Sequence, residues 1–162
     1  MKINLRYLPK KLTKKDRKKQ ASMLLKSRKM YKKGIYYSRK PVSSYPHKKS
    51  PHIIKAEKMY HVSKIDATDE LSKATKCSKD ALAQIIRKGE GAYYSSGSRP
   101  NQSAQSWGKA RLASSITGGK AAAVDFSILE KGCSNQSIAL RLAKQAQKKH
   151  GHGTRRVKKV TV

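Results

Sequence analysis

The sequence predicts a mainly α-helical protein, a small helical body with an extended basic N-terminal arm and a basic C-terminal tail. Three observations lead there. Helix-start and helix-stop residues recur along the chain, with apolar residues at helical spacing between them. Positive charge is concentrated at both ends. Only 36% of the 162 residues are apolar, with one Phe and one Trp, so the core must be thin.

The first helix is predicted over residues 14–31. Thr13 is placed to cap it, Asp16 lies in its first turn, and Gly34 follows its end. Its apolar residues Met23, Leu24, Met30 and Tyr31 make a seam too narrow to fold alone, so the helix needs something to lie on. From Gly34 to Pro51, Pro41, Pro46 and Pro51 with Ser43, Ser44 and Ser50 predict an extended segment without regular structure. Thr68, Asp69 and Glu70 start a short helix through Leu71 and Ala74. Ser78 and Asp80 start another through Leu82, Ile85 and Ile86 to Gly89. A Gly- and Ser-rich loop is expected from Gly89 to Asn101, with Asn101 capping a third body helix that carries Ala104, Trp107, Arg111 and Leu112 and stops at Gly118 and Gly119. Residues 121–131 give a fourth, closed by Gly132, and Ser134 caps a fifth through Ile138, Leu142 and Ala146 to Gly151.

Charge divides the chain into residues 1–60, a Tyr-bearing arm, residues 61–149, the helical domain, and residues 150–162, a basic tail. The first 60 residues hold 20 Lys and Arg against Asp16 and Glu57. Residues 61–130 are nearly balanced, and no acidic residue occurs after Glu130. The whole chain carries +30, which would repel itself unless spread out or neutralised by a partner.

Enzymatic chemistry is not expected. Gly118, Gly119 and Lys120 resemble the end of a phosphate loop, but Ser114 stands where that motif needs Gly and Ala121 where it needs Ser or Thr. Ser106 and Lys109 match Ser-x-x-Lys, a pattern this composition produces by chance. Cys77 and Cys133 are single, and the five histidines lie in cationic surroundings, so neither a metal site nor any cofactor is expected. Two distant cysteines are too few for a disulfide framework, and Cys77 is expected to pack as a small apolar side chain in a reducing compartment. No apolar run suits a signal peptide or a membrane span, so neither secretion nor a membrane partner is expected.

Two segments invite a binding role. Residues 69–89 have the layout of a helix-turn-helix, with Lys76 at the usual turn glycine and Lys79, Asp80, Gln84 and Arg87 outward; a plain helical hairpin gives the same pattern. In the arm and tail, Lys14, Lys15, Arg17, Lys18, Lys19, Arg28, Lys29, Lys32, Lys33, Arg39, Lys40, Arg155 and Arg156 are candidate contacts to a polyanion or an acidic protein. Tyr31, Tyr36, Tyr37 and Tyr45 are candidate interface aromatics, since Tyr supplies rigid contact area at small entropy cost. Composition does not separate the two partners.

Residues 88–133 resemble a small domain of unknown function found in nucleocytoplasmic large DNA viruses, notably algal viruses, and in degenerate form in tailed phages. The marks are Gly89, Gly91 and Tyr93, then Arg99, Pro100 and Asn101, then Trp107 and Arg111, then Gly119 and Lys120 before Asp125. Residues 7–20 also resemble the basic lead-in of the viral members. The resemblance implies a virion protein, also present inside the host cell during assembly. The first expectation is a minor capsid protein bridging larger coat subunits as part of a large assembly. The alternative is a viral DNA-binding or packaging protein. For Arg99, Asn101 and Trp107 two roles stay open, a contact surface or hydrogen bonds that fix a loop around a buried Trp.

Overall fold

The computed structural model describes residues 2–151 and 158–162. It is mainly helical, as the sequence predicts. Eight helices lie among the described residues: α1 Lys14–Tyr31, α2 Pro51–Tyr60, α3 Asp69–Thr75, α4 Lys79–Ser95, α5 Ala104–Ile116, α6 Lys120–Val124, α7 Phe126–Gly132 and α8 Ile138–His150. Two short strands, β1 Lys2–Asn4 and β2 Lys159–Thr161, pair antiparallel with Ile3 opposite Val160.

The chain forms two units. The first unit comprises residues 1–48, 90–107 and 156–162; the second comprises 49–89 and 108–155. Residues 2–48 pack within their own chain, against the stretch 90–107. Two small cores hold the first unit. Ile3, Leu8 and Leu24 form one with Tyr7, Ala21, Leu25 and Val160; Leu12, Met23 and Val42 form the other with Tyr37 and Tyr45. Both draw on the narrow seam of α1, which supplies Met23 and Leu24, while Tyr31 stays exposed.

The ends of α1 follow from local chemistry. Thr13 Oγ1 accepts the N–H of Asp16. After Tyr31, Gly34 takes φ 75° and donates its N–H to Tyr31 O, while the N–H of Ile35 reaches Met30 O; the paired bonds close the helix in a Schellman turn. Helix α2 is absent from the sequence-based assignment because Pro51 reads as the close of an extended run. Pro51 instead occupies the first turn, where a missing N–H costs nothing, and Ser50 accepts the N–H of His52.

The second unit has one core, running from Ala56 and Tyr60 through Leu71, Leu82, Ile85, Leu112 and Ile116 to Leu129, Leu140 and Ala143. Seven of its buried members are alanines. Small side chains let helix backbones come close, and that is how a chain poor in large apolar residues closes a core. Helices α6 and α7 pack on α8, whose buried Ala139, Leu140, Ala143 and Ala146 lie on one face. The Tyr60 hydroxyl donates to Ile116 O, and burial pushes its pKa up to about 12.

Three boundaries differ from expectation. Helix α4 continues through Gly89 and Gly91 to Ser95 instead of stopping at Gly89. Gly89 is there for space, since a Cβ would lie 2.6 Å from Gly108 Cα. The expected helix over 121–131 is two helices, broken at Asp125. Helix α8 is capped by Ser137, which accepts the N–H of Leu140, rather than by Ser134.

Cys77 and Cys133 form a disulfide, contrary to the expectation of an unbridged Cys77. Sequence separation of 56 residues is no barrier here. Ser78 N–H donates to Gly132 O and Ser134 N–H to Lys76 O, each at 2.8 Å, which sets the two cysteines opposite each other as an antiparallel bridge.

The packing at Gly89 gives a paired expectation. Gly89→Ala forces backbone apart and destabilises by about 2 kcal/mol. Gly91→Ala meets nothing within 4 Å and stabilises the helix by about 0.5 kcal/mol or more. Thermal unfolding of the two variants beside the parent checks both signs.

Candidate polyanion interface

At 18 residues, α1 is about 27 Å long. Its inner face buries Asp16, Gln20, Met23, Leu24 and Ser27. On the helix Lys14, Lys15, Lys18, Lys19, Lys26 and Lys29 are exposed and fall within an arc of roughly 140° when projected down the axis, and Lys32 and Lys33, also exposed, follow just past its end. Among the described residues no ion pair involves any of them. Lys19 Nζ donates to Pro41 O at 3.1 Å, and Lys26 Nζ sits 4.5 Å from the Tyr37 ring centroid. The face is thus cationic and held on a rigid element.

The arginines of the same region are used differently. Arg17 Nη1 donates to Leu8 O at 2.8 Å. Arg28 ties Ser96 O and Lys2 O together through Nε and Nη1. Arg39 is half-buried: Nη1 donates to Ser27 Oγ and Tyr93 O, Nη2 to Ser98 Oγ, and its guanidinium carbon stands 3.8 Å from the Tyr93 ring centroid. Burial pushes its pKa below the ordinary arginine value. Arginine's fork can collect several carbonyls at fixed angles, which lysine's single ammonium cannot. Arg17, Arg28 and Arg39 therefore hold the fold, and the lysines carry the outward charge. Lys40 is exposed, and Arg155 and Arg156 lie outside the described residues.

The extended segment after α1 is anchored residue by residue. The N–H of Arg39 donates to Tyr93 Oη at 2.9 Å. Asn101, with φ 61°, clamps Val42 from both sides, accepting its N–H at 2.7 Å and donating to its carbonyl at 3.1 Å, and also donates to Tyr45 O. Asp16 Oδ2 accepts the N–H of Ser44 at 2.8 Å, while Ser44 Oγ accepts the N–H of Thr13. Ser44 thereby supplies from a distant segment the reciprocal half of a capping box. Hydrogen bonds from Ser44, side chain first and backbone second, hold the Asp16 carboxyl below its ordinary value of 3.8.

The motif residues divide between the two units. In the first, Tyr93 and Pro100 are buried, Asn101 fixes the loop, and Trp107 packs edge-on to Tyr7 with ring centroids 6.2 Å apart. Asn101 does not cap α5; Ser103 does, exchanging reciprocal bonds with Ser106. Arg99 is exposed. In the second, fully buried Asp125 takes Arg111 in a two-pronged pair at 3.0 and 2.8 Å, a bond from Ser115 Oγ at 2.9 Å, and Lys88 Nζ at 3.3 Å. Gly119 is required because a Cβ would fall 2.3 Å from Ser114 Oγ; Gly91 stands in open space and Lys120 is exposed at the start of α6. The motif is mostly a set of braces.

Among the described residues no group of His, Cys, Asp and Glu is placed to hold a metal ion, and no helix is long and apolar enough to cross a membrane. In the segment 69–89, Lys76 takes the left-handed conformation, φ 58°, that the turn glycine would supply. A Cβ on Gly132 would lie 2.3 Å from Ala81 Cβ, so the end of α7 packs against the first turn of α4. Lys79 pairs with Asp69 at 3.2 Å, and Asp80, Gln84 and Arg87 stay exposed.

Sequence reasoning found the lysines but not their sorting from the arginines, and it did not single out Ser27, Ser44 or Ser98. Small hydroxyl residues in a Ser-rich chain carry no signal until their partners are known.

Two outcomes follow from these bonds. Asp125→Ala leaves the Arg111 guanidinium without its carboxylate and costs about 3 kcal/mol, read as a lower urea midpoint. For Asp16, folding favours the carboxylate form. Its stabilisation is present above pH 3.8 and lost as pH falls through the lower folded value, so Asp16→Asn flattens the acid limb of a stability profile below pH 3.8 and leaves its slope above that range unchanged.

No curated protein and no solved structure matches the chain. A family model, however, matches residues 5–136, spanning α1, the clamped segment and the motif; the chain belongs to the family of unknown function DUF5824.

Proposed function

We propose that the chain is a non-enzymatic component of a virus particle that works by holding nucleic acid on the lysine face of α1. The viral setting rests on the resemblance carried by residues 88–133. The nucleic-acid role rests on one observation, six exposed lysines on one side of a rigid helix with two more just past its end, none of them in an ion pair among the described residues.

Phosphate is the favoured occupant for a physical reason. Lysine is depleted at the centres of protein interfaces, where its long stem must be ordered and its ammonium dehydrated. Against a phosphate backbone the same ammonium stays hydrated and gains by releasing counterions. The coat-bridging reading leans on an arm that orders on a neighbouring subunit, whereas residues 2–48 pack within their own chain, which favours the nucleic-acid reading.

Anisotropy titration of a labelled duplex over a salt series tests the proposal. The slope of log affinity against log salt is expected to fall by about 0.9 for each of Lys15, Lys18, Lys26 and Lys29 changed to Ala. Absence of binding near physiological salt, both to the duplex and to its separated strand, rejects it. Lysine crosslinks from α1 to coat subunits in intact particles would then restore the coat-bridging role.

A further inference from the structure

The lysine face of α1 ends beside a group of aromatic side chains that the two cores do not use. Tyr36 is 69% exposed, Ile35 47% and Tyr31 37%. The Tyr36 ring leans on Tyr94 with centroids 5.0 Å apart and on Tyr31 at 6.1 Å. Tyr94 in turn meets Tyr93 edge-on at 5.0 Å, and the Tyr93 ring is backed by Arg39. A tyrosine ladder thus runs from the buried clamp out to solvent and ends in an open ring.

That ring is held in place. The Schellman turn at Gly34 fixes one end of the segment, and the bond from the Arg39 N–H to Tyr93 Oη fixes the other. Leaving Ile35 and Tyr36 in water gives the fold nothing, and a rigid exposed aromatic cluster marks a contact site. Because the platform is preorganised, a ligand does not have to order it. Lys32 and Lys33, both exposed, immediately precede it in the chain.

We propose that Tyr36, supported by Tyr31 and Tyr94, is a stacking platform for an unpaired base, so that the nucleic acid this chain prefers is single-stranded. An aromatic face beside a cationic track is the combination that single strands require, since every unpaired base offers a π-face and every link a phosphate. Duplex bases are already stacked on their neighbours and present only edges, so they gain nothing from Tyr36. This inference rests on the polyanion reading above and deepens it.

The test uses the full chain, a labelled single-stranded oligonucleotide of mixed sequence, and the same strand annealed to its complement, at one salt concentration. The parent protein binds the single strand more tightly. Tyr36→Ala weakens single-strand binding about tenfold and leaves duplex binding within about twofold, while Tyr36→Trp restores it. Because Tyr36 is exposed, both variants melt with the parent. Equal affinities of the parent for the two forms, or equal effects of Tyr36→Ala on both, overturn the stacking proposal and leave the lysine reading standing. Failure of the parent to bind either form overturns both.

Discussion

The first unit is organised around a half-buried cation that forms no ion pair among the described residues. Arg39 has its guanidinium satisfied by the Tyr93 carbonyl, the hydroxyls of Ser27 and Ser98, and the face of the Tyr93 ring. A charge drawn largely out of water without a carboxylate is costly unless its donors are satisfied, so those partners have to be in position together. Ser27 comes from α1, Tyr93 from the end of α4 and Ser98 from the following loop. Through Arg39 the extended segment becomes the piece that ties them. Gly97 serves the same joint, because with φ 131° a side chain there would be strained and its Cβ would meet Leu24 Cδ2 at 2.8 Å.

Charge explains why the joint is built from neutral dipoles. The first unit has 21 Lys and Arg against Asp16 and Glu90. With so few carboxylates, salt bridges cannot be the means of tying its segments together. Carbonyl and hydroxyl oxygens are the remaining acceptors, and arginine is the side chain shaped to collect them. The lysines, unable to chelate, are left outside, where water screens their mutual repulsion. A chain that has solved its internal electrostatics this way still presents a dense positive surface. The sorting that allows folding is also what leaves α1 available to a polyanion.

How much of this was readable beforehand depended on whether the signal was local. Thr13, Asp16 and Gly34 mark the ends of α1 because caps act within a turn of the residues they close, and the same holds for Thr68 at α3. Pro51 was ambiguous, since the same ring ends an extended run or opens a helix, and only the hydroxyl of Ser50 on the N–H of His52 decides between them. Gly89 and Gly91 read as a loop because two glycines weaken a helix; the close approach of Gly108 that needs Gly89 comes from a residue 19 positions away. The Cys77–Cys133 bridge and the Ser44 contribution to the α1 cap were invisible for the same reason. Tertiary partners decided these features, and nothing within a local window of sequence names them.

The distinction also bears on what the family motif means. Tyr93, Pro100, Asn101, Arg111, Gly119 and Asp125 are buried or braced, and each is accounted for by what it holds. A motif made of braces specifies a scaffold, and it can persist while the outer surface is turned to different partners. The residues that face outward, the lysines of α1 and Tyr36, lie outside the motif and are positioned by it. Asn101 holds Val42 and Tyr45, and Tyr93 holds Arg39, so the motif determines where the open tyrosine and the end of the lysine face stand. On the proposed reading, recognition would be a property of the segment that is clamped, and the motif would contribute by keeping that segment still.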